Sequence, residues 1–402
     1  MKPVPLRLKK DQERRLLAGH AWVYSNEVDT DATPLKDMEP GQPVELIAQR
    51  GRWLGHGYVN PHSLICARLV SRRRGQPLGA ALLAHRIHAA LALRERLYAA
   101  PFYRLVHGEG DGLPGLVVDR YGDLLAVQIT TAGMERQRPL VLAALEQVLR
   151  PTRIVLRNDT PVRELEGLPQ QVDWVLGDDP GEIELGEGAV RFGVSPGGGQ
   201  KTGWFFDQAD NRLAQHRFGT ARRVLDVCCY LGAWGLQAAA AGAESVTFVD
   251  SAESALARVT ANAERNGLGQ GLTGRIETLH GDAFEVLRAL RDDGASFERV
   301  ILDPPAFIKR RKDEREGARA YERLNRLGLA LLAPGGLLIT SSCSFHFGRD
   351  AFLHAVQSAA RRSEQDLQLL LAGAQGPDHP VHPAIAETAY LKTLFLRALP
   401  HD

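Results

Sequence analysis

The chain has few cysteines, few methionines and no long apolar run. Its 402 residues include four cysteines and three methionines. The cysteines form no CxxC pair and no His/Cys cluster with zinc spacing, so the sequence predicts neither a disulfide framework nor a metal site. No apolar run reaches the roughly 18 residues that a membrane span needs. We therefore expect a metal-independent protein that is not embedded in a membrane.

A large net charge and a secretory signal are also lacking. The formal net charge of +1 argues against a protein that coats nucleic acid indiscriminately. The basic start MKPVPLRLKKDQERRLL has no apolar segment or small-residue cleavage site, so we expect a cytoplasmic location. Charge is uneven, however, since residues 1–75 carry thirteen Lys or Arg against eight Asp or Glu.

Length and pattern predict three domains, because 402 residues exceed one ordinary core. Residues 1–75 have short strand-like runs between Gly/Pro turns and end in SRRRG, which is typical of a small β module. Residues 76–190 mix helical and strand patterns and form a predicted central α/β domain, in which HGEGDG indicates a turn. Residues 191–402 alternate apolar strands with helices, which predicts a doubly wound, mainly parallel sheet.

Three acids follow successive strands of this last domain. Asp226 lies near the end of the first predicted strand, before a turn that contains Gly232, while Asp250 and Asp282 follow the next two strands. One such acid alone would be explained as a helix N-cap, but three in register favour a ligand site, because ligands bind at the carboxyl ends of such sheets. The turn is not G-x-G-x-x-G, which disfavours a pyrophosphate and leaves room for a sulfonium amino acid.

The next two strands end in RVILDPPAF and GGLLITSSCSF. Two prolines make a stiff corner after Asp303. If the two strands are neighbours, spaced by about 4.8 Å, then Asp303 and Cys343 lie at the same edge of the sheet. A lone cysteine is usually a packing residue, but this position among serines favours a catalytic thiol. Cys66, Cys228 and Cys229 are expected to be packing residues within strands.

These features resemble class I S-adenosylmethionine-dependent methyltransferases, with S-adenosylmethionine as the implied cofactor. The three acids match the first three motifs of that class, and GGGQKTGWFFDQADNR is similar to the leading motif of RNA and DNA methyltransferases. The resemblance implies cofactor contacts at the strand ends, in the turns after them and in that leading stretch: Asp226, Tyr230, Gly232, Asp250, Ser251, Asp282, Ala283, Phe206 and Gln208.

A thiol and an acid suit methylation at carbon 5 of cytosine. That carbon is a poor nucleophile until a thiolate adds at carbon 6, and Cys343 is the candidate for this addition. Asp303 is then expected to hydrogen-bond N3 and the exocyclic amine and to offset the charge that develops on the ring.

Nearly the whole chain resembles the bacterial 23S ribosomal RNA cytosine-C5 methyltransferase I family. The matching stretches include GHAWVYSNEV, GEGDGLPGLVVDRYGD, QKTGWFFDQADNR, LDPPAF, SSCS, DHP and YLK. The resemblance implies an N-terminal PUA domain, 23S rRNA or the large ribosomal subunit as partner, and a homodimer. Many RNA cytosine-C5 methyltransferases carry a second Cys after the prolines for product release, and here that position is Ala306.

Other functions remain open at this level. Methylation of an exocyclic amine uses D/N-P-P followed by an aromatic residue, but Phe307 is one position too far along. A non-catalytic RNA-binding or ribosome assembly factor is a second alternative, and a small-molecule methyltransferase is a third. The basic stretch KRRKDEREGAR after DPPAF is either a mobile flap near the substrate or a solvated helix.

Overall fold

The chain forms two compact units in a computed structural model that describes residues 3–199, 202–269 and 275–399. The first unit comprises the chain up to Ile183, together with Ser195–Phe206 and Pro377–Thr388. The second comprises Glu184–Val194, Asp207–Gly376 and the residues from Ala389 onward. Over the described residues, none of the helices has the length and apolarity needed to cross a membrane.

The first sheet of the first unit is built from short strands in which residues that face the core alternate with residues that face away from it. Its elements are β1 (Val4–Arg7), α1 (Arg14–Leu17), β2 (Trp22–Val23), β3 (Gln42–Ile47), β4 (Trp53–Val59) and β5 (Ala67–Ser71). The strands lie in the order β1-β3-β4-β5-β2. Alternate residues such as Val44 and Leu46 point inward and are fully buried, as expected for a strand with one face on a core. Cys66 lies just before β5 and packs in this core.

The second sheet of the first unit packs against helices. Its elements are α2 (Ala80–Leu97), β6 (Phe102–His107), β7 (Leu116–Tyr121), β8 (Leu124–Ile129), α3 (Ala132–Arg136), α4 (Arg138–Leu149), β9 (Arg153–Arg157) and β10 (Val172–Leu176). The strand order is β10-β9-β8-β7-β6. The predicted HGEGDG turn is a 3-10 helix over Gly108–Asp111, and Asp111 forms an ion pair of 2.6 Å with the buried Arg94.

The second unit contains a small sheet of two strands, which are the first two named below, and a large, mainly parallel sheet. Its elements are β11 (Ile183–Glu187), β12 (Val190–Val194), α5 (Ala209–Ala214), β13 (Arg223–Val227), α6 (Ala233–Ala240), β14 (Ser245–Asp250), α7 (Glu253–Arg265), β15 (Arg275–His280), α8 (Ala283–Asp292), β16 (Phe297–Leu302), α9 (Glu314–Ala330), β17 (Leu332–Ser342), α10 (Arg349–Arg362), β18 (Leu367–Gly373) and β19 (Lys392–Ala398). Within the described ranges the strand order is β15-β14-β13-β16-β17-β19-β18. β19 runs antiparallel to both of its neighbours. The expected α/β fold class with a small β module and a doubly wound, mainly parallel sheet is confirmed by this architecture.

The sheet is buried because its strands are continuous apolar runs. Strand residues such as Val227 and Leu302 form one core with residues of α9 and α10, including Tyr321 and Phe352. Such strands need helices over them, and parallel strands need helical crossovers. The stretch KRRKDEREGAR falls in a 3-10 helix at Arg311–Asp313 and the first turns of α9. The division into three domains at residues 75 and 190 stays a prediction.

Candidate active site

The turn between β13 and α6 has an unusual backbone conformation. Cys228 and Tyr230 have φ angles of 60° and 49°, and Gly232 has 78°. Left-handed non-glycine residues are uncommon and concentrate where a backbone wraps around a ligand. A Cβ atom on Gly232 would lie 3.1 Å from Val259, so glycine fits both the conformation and the space. Cys228 and its neighbour Cys229 lie in this turn, so their expected placement in the strand was wrong, whereas Cys229 is buried and Cys228 packs against the core.

Asp226 lies in β13 beneath the turn and is fully buried. Its Oδ2 accepts a hydrogen bond of 2.8 Å from the Gly235 amide in the first turn of α6. Its Oδ1 has no hydrogen-bond partner among the described residues. Burial, with the charges of Asp303 and Asp250 acting in the same direction, raises the pKa of Asp226 to about 7. A buried acceptor without a donor is a position at which a ligand ammonium group would be stabilised.

Asp250 ends β14 and holds the same turn from the other side. Its Oδ2 accepts from the Tyr230 amide and its Oδ1 from the Ala252 amide, both at 2.9 Å. Ser251 follows it on the surface, and the Ser251 carbonyl lies 3.1 Å from the His280 ring. Asp250 therefore fixes the Tyr230 backbone in place, and a role in cofactor binding stays a prediction for Tyr230, Asp250 and Ser251.

Asp282 caps helix α8. Its Oδ1 accepts hydrogen bonds from the Phe284 and Glu285 amides at 2.9 and 3.2 Å. The helix then begins at Ala283. An N-cap carboxylate of this kind stabilises a helix by about 1 kcal/mol. Helix capping thus accounts for the Asp282 side chain, and cofactor contacts of Asp282 and Ala283 stay a prediction.

Asp303 follows β16 directly and is held by two N–H donors. The Gln208 side-chain amide and the Trp234 indole each donate to its carboxylate at 3.0 Å. Burial raises the pKa of Asp303, with the charge of Asp207 acting in the same direction, while the two donors lower it. Trp234 was not singled out in the sequence, because a tryptophan in the first turn of an apolar helix is typical of a core residue.

Gln208 connects Asp303 to the last strands of the sheet. Its Oε1 accepts from Asn211 at 2.8 Å and from the Thr393 hydroxyl at 3.2 Å. The Thr393 and Ser341 hydroxyls lie 2.9 Å apart. Phe206 belongs to the first unit, where its ring centroid lies 5.2 Å from that of Tyr121. Cofactor contacts by Gln208 and Phe206 stay a prediction.

Cys343 follows β17 and is half-buried. β16 and β17 are parallel neighbours with Leu302 opposite Thr340, so Asp303 and Cys343 both lie just past the carboxyl end of their strands. The turn after Cys343 is fixed through Ser344, whose hydroxyl accepts from the Ile308 amide at 3.1 Å. The roles of Asp303 and Cys343 in catalysis stay a prediction.

Lys392 is a charged residue of this edge that sequence reasoning did not single out. It begins β19, pairs with Ser342 and is 5% exposed. Its ammonium group donates to the Ser344 and Tyr390 carbonyls at 2.6 and 2.8 Å. The signal was present as the YLK stretch, but a lysine in an apolar strand is not informative without the strand pairing.

These residues fit a cofactor that carries a sulfonium and an ammonium group. The left-handed turn gives close backbone approach, the Asp226 Oδ1 lacks a donor, and the negative charges of Asp250 and Asp303 both act on Asp226. Clustered carboxylates favour a cation. In the described part of the chain, no group of three or more His, Cys, Asp or Glu side chains is arranged to hold a metal ion.

The fold and this edge of the sheet define a methyltransferase that uses S-adenosylmethionine. The model of the S-adenosylmethionine-dependent methyltransferase family matches residues 104–397. A PUA-like domain model matches residues 6–72. A crystal structure described as a methyltransferase complexed with SAH superimposes with a TM-score of 0.84 over 98% of this chain and 100% of its own, at 21% identity, which supports the fold.

Similar proteins of known name show to which family within this class of methyltransferases the chain belongs. The Ribosomal RNA large subunit methyltransferase I of Tolumonas auensis is 36% identical over 399 residues, covering 98% of each chain. The protein of the same name from Aeromonas hydrophila is 36% identical over 397 residues, covering 97% of this chain and 98% of the relative. The chain belongs to the ribosomal RNA large subunit methyltransferase I family.

Proposed function

We propose that this enzyme forms 5-methylcytosine in the RNA of the large ribosomal subunit, 23S rRNA in bacteria, through a covalent adduct between Cys343 and carbon 6 of the target cytosine. The observation that carries the proposal is that a half-buried thiol and a doubly hydrogen-bonded acid follow neighbouring parallel strands. The family supplies the RNA substrate, and this pair of side chains supplies the chemistry.

The reaction begins at the thiol. The Cys343 thiolate donates an electron pair to carbon 6, a C–S bond forms, and the electrons of the 5,6 double bond move toward carbon 5 and N3. S-adenosylmethionine, when bound, supplies an electrophilic methyl group. Carbon 5 would take this methyl group and the thioether S-adenosylhomocysteine would leave. Transfer of the carbon-5 proton to a base then restores the double bond and breaks the C–S bond, which returns the electron pair to sulfur.

Asp303 binds and orients the ring in this scheme. Its two oxygens each take one N–H from the protein and retain capacity for a base. Because burial raises its pKa, the Asp303 carboxyl takes up a proton more readily than an exposed acid, and its protonated form can donate to N3 as negative charge develops there. The Gln208 and Trp234 donors fix its position before the substrate arrives, so little reorganisation is needed during the reaction.

The front of the chain is the proposed RNA contact. The PUA-like match at residues 6–72 and the local excess of positive charge support binding to RNA phosphates, which positions the substrate without specifying its sequence. We also infer a cytoplasmic location from an RNA substrate of this kind. The homodimer implied by the resemblance stays a prediction.

Methylation of an exocyclic amine is less well supported. In that reaction the aromatic residue after D-P-P stacks on the base. The Phe307 ring instead packs 4.7 Å from the Tyr321 ring and 6.1 Å from the Phe284 ring. A non-catalytic assembly factor is also less well supported, since nothing in such a role requires Asp303 to be held by two donors.

A mechanism-based trap tests the proposal. Fluorine at carbon 5 cannot leave as a proton, so large-subunit rRNA fragments that contain 5-fluorocytosine should form a covalent complex with the wild type and S-adenosylmethionine. Cys343→Ala should form none and should lose at least 10³-fold in turnover, whereas Cys66→Ala, which removes a buried thiol of the first unit, should trap normally. Undiminished trapping or turnover in Cys343→Ala would refute the cysteine mechanism, and methylated amine in the product would favour the alternative.

A further inference from the structure

The environment of Lys392 is unusual for a buried cation. The side chain is 5% exposed, and its ammonium group donates hydrogen bonds to two backbone carbonyls. No carboxylate lies within ion-pair distance of it in the part of the chain that the structure describes. The buried Arg94 and Arg212 are both paired with carboxylates, whereas Arg299 bonds the Gln215 side chain and the Gly219 carbonyl. A buried charge without a permanent counter-ion is destabilising, and an anion that forms beside it would stabilise it.

The strand pairing identifies that partner. Lys392 lies opposite Ser342, the last residue of β17, and its ammonium group bonds the carbonyl of Ser344. Cys343 is the residue between these two. The ammonium group is therefore bound to the short turn that carries the thiol.

We propose that Lys392 is a positioning residue whose buried ammonium group stabilises the thiolate form of Cys343. The inference rests on the proposed function only for its purpose, since the state of the thiol is measurable without RNA. Formation of the pair is balanced: the proton leaves the sulfur, the amine nitrogen takes it, and a neutral thiol and amine become a thiolate and an ammonium. Elimination of Cys343 at the end of the reaction regenerates the same pair.

The titration of the lysine is consistent with this pairing. Burial lowers the pKa of Lys392 to about 8, the Cys343 thiolate raises it, and the positive charge of Arg349 at the start of α10 lowers it. The interaction is reciprocal, so an ammonium that gains from the thiolate lowers the pKa of the thiol by the same free energy. On the α9 side, the facing titratable group is Tyr321, whose pKa is raised by burial and by the Cys343 charge.

The other three cysteines should not react in a thiol titration near neutral pH. Burial raises the pKa of Cys66 to about 12. Burial also raises the pKa values of Cys228 and Cys229, and the charge of Asp250 adds to both effects. Alkylation near neutral pH should therefore report on Cys343, with the Cys343→Ala variant as the background.

The test is the pH dependence of Cys343 alkylation by iodoacetamide in the cofactor-free, full-length protein, followed by mass spectrometry of the Cys343 peptide. In the wild type the midpoint should lie below the value of about 8.5 for an ordinary thiol. Lys392→Met keeps the length and most of the volume of the side chain and should slow alkylation at pH 7 about tenfold, which corresponds to a one-unit rise in midpoint. Lys312→Met removes a positive charge from an exposed turn and should leave the midpoint unchanged.

Turnover separates this role from a purely structural one. The loss of kcat in Lys392→Met should shrink as the pH is raised from 7 to 9, because the thiol then ionises without help, and Lys392→Arg should retain the low midpoint. A wild-type midpoint at or above 8.5 would overturn the proposal even if Lys392→Met failed to fold, as would an unchanged midpoint in a folded Lys392→Met. If Cys343→Ala kept full turnover while the midpoint shifts held, the proposed function would fail and the thiolate pairing would stand.

Discussion

The buried Asp226 carboxylate is expected to destabilise the cofactor-free enzyme near neutral pH, and a bound cofactor should remove this destabilisation. Its carboxyl is fully buried, one oxygen has no partner among the described residues, and its pKa is raised from 3.8 to about 7. Between pH 4 and 7 the folded chain holds a proton that the unfolded chain has lost. The free energy of unfolding therefore falls as pH rises through this window and levels off above it.

The magnitude follows from the shift. About three pKa units correspond to about 4 kcal/mol lost between pH 4 and pH 8. Asp226→Asn does not titrate, and its amide oxygen still accepts from the Gly235 amide. The new NH₂ group replaces the unpartnered oxygen and costs about 1–3 kcal/mol at every pH. Relative to the wild type, the variant should thus gain about 4 kcal/mol in stability across this range, whatever its offset at pH 4.

Urea titrations followed by circular dichroism at several pH values between 4.5 and 8.5 measure this difference. Thr340→Val is a suitable control, because it replaces a buried hydroxyl without a partner among the described residues and should change stability by the same amount at every pH. Calorimetry should show that Asp226→Asn binds S-adenosylmethionine at least tenfold more weakly than the wild type. A stability difference that does not change with pH would refute the reasoning.

Two further predictions concern the same edge of the sheet. Gly235→Ala would place a Cβ 2.3 Å from the Phe248 ring, so overpacking should lower the free energy of unfolding in urea by about 2 kcal/mol. An unchanged urea midpoint would show that the helix shifts to make room for the methyl group. Trp234→Phe removes one of the two N–H donors to Asp303 and should raise the pKa of that carboxyl. The pH at which kcat/KM falls on the alkaline side should then rise, and an unchanged value would mean that Asp303 does not control this limb of the profile.

Much of the fold was predictable because its strands are apolar runs that end in acids or in D-P-P. This periodicity gave the parallel sheet, and the family resemblance gave the PUA-like module and the methyltransferase domain, both of which are confirmed. The placement of Asp303 and Cys343 past neighbouring strands also agrees with the pattern, since β16 and β17 pair directly. General rules of α/β folds relate the order of strands along the chain to their order in the sheet, so this neighbourhood can be inferred from a single sequence.

The remaining features depend on pairings that leave no local signal. The assignment of Cys228 and Cys229 to a strand failed because their apolar sequence context does not reveal the left-handed turn. The strand β13 ends at Val227, and the turn begins at the next residue. Trp234 and Lys392 were missed because each resembles an ordinary core or strand residue until its partner is known. A hydrogen bond across 69 residues or a strand register is a tertiary property, and spacing along the chain does not encode it.

The first two residues of β19 support both of the proposed reacting groups. Thr393 contacts the Gln208 amide that holds Asp303, and Lys392 is tied to the turn that carries Cys343. Successive residues of a strand point to opposite faces, so a one-residue slip of β19 would exchange these two positions. The register of β19, an antiparallel strand that contains neither group, thus helps to set the distance between the Asp303 carboxyl and the Cys343 thiol. An insertion at the start of β19 should therefore disable the site, although β19 contributes neither reacting group.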